Sequence, residues 1–253
     1  MSTLAPNRRP SVSESIAVPR LVTLEELVGT PRSFRPSVPR IDAESARRAL
    51  NVVVAALILV LAAPLMLAIA LLVKLTSPGP VIFKQVRVGI DRRHPGSDAG
   101  HWRRTVDYGG RLFTMYKFRT MTTTSDSRLQ VWARPDDPRV TRIGTFLRTY
   151  RLDELPQLVN VLKGDMNIVG PRPEQVRIFA DLRTQVDDYA HRQRVLPGIT
   201  GWAQINQAYD RCLDDVKNKV RYDLEYIATR SWTNDLKILA CTIPVMLLRR
   251  GGW

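Results

Sequence analysis

The run from Val52 to Val73 contains no charged or polar side chain. At ~1.5 Å per residue, a helix over it reaches ~33 Å, enough to cross the hydrocarbon core of a bilayer. A helix that is apolar all round belongs in a large core or in a membrane. A chain of 253 residues holds one sizeable core, so the run reads as a membrane helix. Pro64, after Ala62 and Ala63, removes a helical hydrogen bond halfway along and invites a kink. Basic residues flank both ends, Arg47 and Arg48 before, then Lys74, Lys84, Arg87, Arg92 and Arg93 after. The positive-inside rule therefore gives a straight span no preferred orientation. Two topologies stay open: a kinked spanning helix, or a helix that enters, bends at Pro64 and leaves on the same side. The run divides the chain into an arm (1–46), a membrane helix (47–75) and a folded remainder (76–253).

The arm is rich in Pro, Ser and Arg and has no sustained period beyond a short helical stretch at Leu21–Val28. It reads as disordered or loosely docked. No secretory signal is expected, because the first apolar run begins near residue 49. The formal net charge of +14 directs attention to polyanionic partners: phosphate-bearing substrates, an anionic membrane face or nucleic acid. Cys212 and Cys241 lack metal or redox spacing and read as buried free thiols in a reducing compartment.

Beyond the apolar run, Thr76–Pro80 carries turn chemistry. Val81–Val88 and Arg111–Met121 are β-branched and aromatic with partial alternation, and predict two strands of a small sheet. The loop between them holds His94 and His101, and isolated loop histidines are rarely metal ligands. Lys117 and Arg119 are placed on one face of the second strand, with Lys84 on the first. They read either as a solvated basic edge or as a phosphate cradle.

The most chemical stretch is Arg148–Glu174, RTYRLDELPQLVNVLKGDMNIVGPRPE. Leu155, Leu158, Val159 and Leu162 recur at helical spacing, and Gly164 fits a C-terminal stop. Asp153 stands where an N-cap would stand, with Pro156 in the first turn. A capping carboxylate feels the positive end of the helix dipole, which favours its ionised form, and an ionised carboxylate serves as nucleophile or hard-metal ligand. Capping and catalysis are thus compatible for the pair Asp153 and Glu154. Arg148 and Arg151 precede the pair, and the rigid turn Gly170-Pro171-Arg172-Pro173 follows. Further helices are expected at Arg142–Tyr150, Glu174–Tyr189, Leu213–Arg230 and Asp235–Arg250. Asn167–Val169 reads as an apolar link, and Val195–Ile205 as two Gly-centred turns with an exposed Trp202. The last helix could close the core or lie on an anionic bilayer surface.

These motifs occur in a telling order: a Pro-broken apolar helix, LTSPGPVIFKQVRVG, FTMYKFRTM, the segment from Asp137 to Glu174, LPGITGWAQI, YDLEYI and NDLKIL. The set resembles the bacterial sugar transferases, monotopic polyprenyl-phosphate phosphoglycosyl transferases that begin exopolysaccharide, capsule, O-antigen or glycoprotein glycan synthesis. It covers residues 47 to 253. The resemblance implies an α+β, mostly helical, monotopic membrane protein with a re-entrant helix broken at Pro64 and a small β-hairpin beside the catalytic helices. It implies transfer of a sugar 1-phosphate from a UDP-sugar to undecaprenyl phosphate with release of UMP, on the cytoplasmic face of the bacterial inner membrane. Asp153 maps onto the nucleophile and Glu154 onto its acidic neighbour, both near Mg²⁺. Arg119, Arg148, Arg172 and Lys84 are the candidate phosphate contacts. The family often places Ser before the helix-breaking proline, where this chain has Ala63, and the loop from Gly89 to Gly110 looks inserted.

Two other classes compete with this one. A membrane-tethered nucleic-acid binder suits the charge, but aromatics do not interleave with a basic stripe, and no nucleic acid is expected as partner. A non-catalytic scaffold of a glycan assembly complex has no need of an intact acid pair fenced by arginines. Neither the sugar nor the oligomeric state is written in the sequence.

Overall fold

A computed structural model describes residues 41–92, 108–122, 137–207, 210 and 212–247. The arm up to residue 40, both loop histidines and most of the Gly89–Gly110 loop lie outside them.

The first helix, α1 (Ile41–Thr76), stays helical through Pro64, so the proline sits within one element and does not divide it into two. Asn51, Ala55, Ile69, Val73 and Ser77 form a narrow buried stripe at helical spacing. The opposite face is bare: Leu61 and Leu67 are each 72% exposed, and Leu57, Val60 and Leu71 are exposed with them. The helix is long and apolar enough to cross a membrane. The contact stripe is anchored at both ends. Near the start, Arg48 donates to the carbonyls of Val161, Leu162 and Met166, and the Ile168 amide donates to Asn51 Oδ1 at 2.7 Å. At the far end, Arg119 Nη2 donates to the Ser77 carbonyl at 2.6 Å, to Ser77 Oγ at 2.8 Å and to the Val73 carbonyl at 3.4 Å. A guanidinium on the free carbonyls of a helix end satisfies acceptors that the helix leaves open.

Strands β1 (Ile82–Val88) and β2 (Leu112–Phe118) pair antiparallel, from Ile82 opposite Phe118 to Val88 opposite Leu112. The expected hairpin is present, with ends trimmed by a residue or more. Then come α2 (Arg142–Thr149), a 3₁₀ turn (Leu152–Glu154) and α3 (Gln157–Lys163), which Gly164 closes at φ 84°. A left-handed position of this kind favours glycine. Strand β3 (Asn167–Val169) pairs in parallel with β4 (Gly198–Thr200). The sequence suggests only a link and a pair of turns here. Strands of three residues carry no legible alternation, and this partner lies far along the chain. The remaining helices are α4 (Val176–Gln185), a 3₁₀ segment (Tyr189–Arg194), α5 (Trp202–Asn206), α6 (Leu213–Thr229) and α7 (Trp232–Leu247).

One core joins Ala55 of α1, Phe113 and Met115 of β2, Val161 of α3, Ile168 of β3, Tyr226 of α6 and Ile238 of α7, with Trp202 half-buried against it. A second lies under α4 and α6 around Phe179, Tyr189 and Val216. Cys212 is exposed and Cys241 half-buried, so the expectation of buried thiols does not hold. Cys212 stands at the N-cap of α6, where its amide bonds Asp215 Oδ2 at 3.3 Å, and a cap residue sits at the surface.

Candidate active site

The acid pair occupies the 3₁₀ turn between α2 and α3, where Asp153 and Glu154 are 7% and 5% exposed. Asp153 is therefore not the cap of α3. Pro156 takes that position, with no side-chain hydrogen bond to the helix. Arg151, at φ 53°, makes the bend that brings both carboxylates inside. A left-handed non-glycine residue costs ~1–2 kcal/mol and persists where surrounding contacts demand it. Here the demand comes from Glu154, whose amide bonds the Arg151 carbonyl at 3.1 Å and whose Oε1 lies 3.8 Å from Arg151 Nη1.

The two acids are treated unequally. Glu154 receives both arms of Arg172, Nη2 to Oε1 at 2.5 Å and Nη1 to Oε2 at 3.2 Å, and Lys117 Nζ at 3.1 Å. Asp153 has Lys117 Nζ at 3.9 Å, beyond hydrogen-bonding range. Their ionisation separates accordingly. Burial pushes Asp153 upward, Lys117 partly offsets this, and the charge on Glu154 adds to the rise. Burial alone would also raise Glu154, but Arg172, then Lys117 and Arg151, hold it well below the usual carboxylate range. The helix-dipole expectation for Asp153 therefore has the wrong sign, because the side chain is desolvated inside a 3₁₀ turn and not solvated at a helix end.

Lys117 reaches the pair because α3 is pinned to β2. Asn160, fully buried, donates Nδ2 to the Thr114 carbonyl at 2.7 Å and accepts the Tyr116 amide at 3.1 Å. This one side chain occupies the strand edge left open by β1 and fixes the height of Lys117 against Glu154. Arg172 is aimed from the other side by the turn after β3, whose Gly170 amide bonds the Thr200 carbonyl at 2.9 Å. A Cβ on Gly170 would sit 2.5 Å from the Leu196 carbonyl oxygen, so β3 and the segment before β4 meet this closely only with glycine there.

Of the basic residues expected at the site, Arg172 is in it. Arg148 lies near enough for its charge to lower Asp153 slightly, and its Nε bonds Thr120 Oγ1 at 2.9 Å. Arg119 is elsewhere: it is 6% exposed and spent on the end of α1. Lys84 is exposed, and the register explains its distance from the site. Cross-strand partners share a face, and Lys84 opposes Tyr116 while Lys117 opposes Phe83. Lys84 and Lys117 therefore project from opposite faces of the hairpin. Of the two lysines, Lys117, grouped from the sequence with Arg119 on its strand, is the one that the carboxylates meet.

Among the described residues, no group of three or more His, Cys, Asp and Glu side chains forms a metal cage. Two carboxylates still fit Mg²⁺, which commonly takes one or two from protein and completes its shell with water and substrate phosphate. Asp153 is the better donor of the two, since both Glu154 oxygens already face Arg172.

The chain belongs to the bacterial sugar transferases, whose family model matches residues 43–249. It is 41% identical over 228 residues to the UDP-glucose:undecaprenyl-phosphate glucose-1-phosphate transferase of Escherichia coli strain K12, an alignment covering 87% of this chain and 44% of that protein. It is 40% identical over 206 residues to the UDP-N-acetylgalactosamine-undecaprenyl-phosphate N-acetylgalactosaminephosphotransferase of Aeromonas hydrophila, covering 81% and 44%. A Caulobacter vibrioides UDP-glucose:undecaprenyl-phosphate glucose-1-phosphate transferase is 38% identical over 219 residues, covering 85% and 75%. The chain thus spans less than half of the first two relatives and three quarters of the third.

Proposed function

We propose that this chain transfers a sugar 1-phosphate from a UDP-sugar to undecaprenyl phosphate, releasing UMP, through a phosphosugar bound covalently to Asp153. The observation that carries the reading is the unequal pairing of two adjacent buried acids. Glu154 gathers Arg172 and Lys117. Asp153 keeps its oxygens out of hydrogen-bond reach of that lysine and is made more basic by burial. A more basic carboxylate is a better nucleophile, and the nearby lysine keeps the ionised form within reach.

In the first half-reaction, an Asp153 oxygen attacks the β-phosphorus of the UDP-sugar. The bond from that phosphorus to the bridging oxygen breaks, its electron pair leaves with UMP, and an acyl phosphate remains. In the second, an oxygen of undecaprenyl phosphate attacks the same phosphorus. The acyl–phosphate bond breaks and returns Asp153 to a carboxylate. Lys117, within 4 Å of both acids, compensates charge as it moves from the carboxylate to the phosphoryl oxygens. Arg148, held at Nε by Thr120, has its Nη groups for a phosphate. Asp153 and Glu154 are the residues that would hold Mg²⁺, which would supply charge neutralisation for the donor's diphosphate and the departing UMP.

Contacts at both ends of α1 support a monotopic arrangement. Arg48 and Asn51 near its start, and Val73 and Ser77 at its end, touch one folded body. A straight span would carry one end ~30 Å away across the bilayer. Pro64 lies between the two anchors, and a bend there would let the helix re-enter. The UDP-sugar donor and the basic character of the chain favour the cytoplasmic face of the bacterial inner membrane, whose anionic lipids attract Lys and Arg. The product would begin a surface glycan such as an exopolysaccharide, capsule, O-antigen or glycoprotein glycan.

The test is UMP release by lipid-reconstituted protein given undecaprenyl phosphate, Mg²⁺ and a panel of UDP-sugars. Release with one sugar, lost in Asp153→Asn, is the expected result. Silence of a folded protein across the panel supports the scaffold reading.

A further inference from the structure

Arg172 can serve Glu154 only if the proline-flanked turn that carries it holds still, and the turn has little of its own to hold it. Pro171 and Pro173 have no amide hydrogen to donate, and the Pro171 carbonyl accepts the Gly198 amide at 2.9 Å. The next three carbonyls are also satisfied from outside the turn. Arg192 Nη2 donates to the Arg172 carbonyl at 3.0 Å. Arg87 Nη1 donates to the Pro173 carbonyl at 3.0 Å. The Val88 amide donates to the Glu174 carbonyl at 3.0 Å.

Arg192 is the deepest of these donors, 2% exposed on the 3₁₀ segment. Such a buried guanidinium requires a partner, and Asp223 of α6, 1% exposed, accepts Arg192 Nε at 2.6 Å. The third nitrogen, Nη1, lies 3.9 Å from Glu174 Oε1, the residue that closes the turn. One planar fork therefore joins a buried acid on α6 to the backbone of the turn, a geometry open to Arg and closed to Lys. Arg192 and Asp223 bond neither Asp153 nor Glu154 among the described residues, and Arg87 lies near enough for the charges of Glu154 and Arg172 to act on it.

We infer that Arg192, oriented by Asp223, and Arg87 are positioning residues that hold the Arg172 turn, and through it the Arg172 guanidinium, against Glu154. The inference rests on the proposed reaction for its catalytic consequence, but its structural half stands without it. A guanidinium displaced by about 1 Å is enough to cost on the order of 100-fold in rate.

Two measurements on the lipid-reconstituted full chain test it. The first is hydrogen exchange of peptides spanning residues 167–176, in wild type, Arg192→Lys and Arg87→Met. Faster exchange there, with α3 peptides unchanged, is expected in both variants. Unchanged exchange in a folded variant overturns the inference. The second is a double-mutant cycle on UMP release with Arg172→Ala. Arg192→Lys should slow wild type about 10- to 100-fold and the Arg172→Ala enzyme less than about 2-fold. Equal losses in both backgrounds would show a general structural role and overturn it. If Arg192→Lys does not fold, Arg87→Met, whose guanidinium lies outside the Asp223 pair, carries both measurements. If wild type releases no UMP, the proposed reaction fails, while hydrogen exchange still decides whether the arginines hold the turn.

Discussion

Arg172 joins two charged clusters that look alike in composition and differ in balance. Its side chain belongs to the cluster of Asp153, Glu154, Lys117 and Arg151, and its carbonyl to the cluster of Arg192, Asp223, Glu174 and Lys219. In the second cluster both acids are paired at close range. Asp223 meets Arg192 at 2.6 Å, and Glu174 meets Lys219 at 2.6 Å. In the first, Glu154 takes the close contacts, and Asp153 takes none from the described residues. Burying charge costs several kcal/mol per ion unless it is paired and hydrogen-bonded. A cluster whose acids are both held at hydrogen-bond distance is what a scaffold needs. A cluster with one acid left over carries a cost that has no structural return, and chemistry at Asp153 accounts for it.

Removing the leftover acid should separate activity from stability most sharply. Asp153→Asn is expected to lower the UMP release rate by about 10⁴-fold or more, as losses of a nucleophile do, while its melting temperature holds or rises. The sign follows from burial, which penalises the charged form that Asn removes. A parallel fall in melting temperature would erase the distinction between the clusters. Glu154→Gln should do the reverse in stability. It strands Lys117 and Arg172 without their anion, a loss of about 3–5 kcal/mol by analogy with broken buried pairs, read by denaturant unfolding.

The paired cluster should announce itself in acid. Burial would raise Glu174, but Lys219, Arg192 and Arg87 outweigh it and bring it down to about 2. Because the folded value lies below the unfolded one near ~4.3, this contribution is fully present above the unfolded value. It is lost as pH falls from there through about 2. A tenfold difference in proton affinity is worth ~1.4 kcal/mol, so about 3 kcal/mol should vanish across that window, and Glu174→Gln should flatten it in melts recorded from pH 5 to 2. The smallest effect belongs to Lys84→Ala, on the hairpin face away from both clusters. It should change stability by less than about 0.5 kcal/mol and UMP release by less than about 2-fold. A larger activity loss would return Lys84 to the phosphate site.

Much of this was readable from residues in a row. The apolar run, the hairpin, the helices α2, α3, α4, α6 and α7, the acid pair and Arg172 are local signals of period, turn chemistry and charge, while α5 lies in a stretch that reads as turns. What stayed hidden depends on contacts between distant segments. Asp153 reads as a cap because Pro156 and an apolar run follow it, and only the left-handed turn at Arg151 places it inside. Arg119 reads as a phosphate ligand until the end of α1, far back in the chain, is seen to take its guanidinium. The choice between Lys84 and Lys117 is a question of hairpin register, which the sequence leaves open across a long loop. Asp223 reads as one charge of the charged helix Leu213–Arg230 and Arg192 falls between the expected elements, and their burial comes from packing between the 3₁₀ segment and α6.

The central claim, a covalent bond at Asp153, is tested most directly without the acceptor. Reconstituted protein is mixed with the UDP-sugar that supports turnover, and intact-mass and peptide mass spectrometry are run beside UMP quantitation. A covalent route predicts close to one UMP released per active protein, and a sugar-phosphate adduct on the Asp153 peptide that disappears when undecaprenyl phosphate is added. UMP that appears only with the acceptor, and a protein mass that never changes while turnover proceeds, would contradict it.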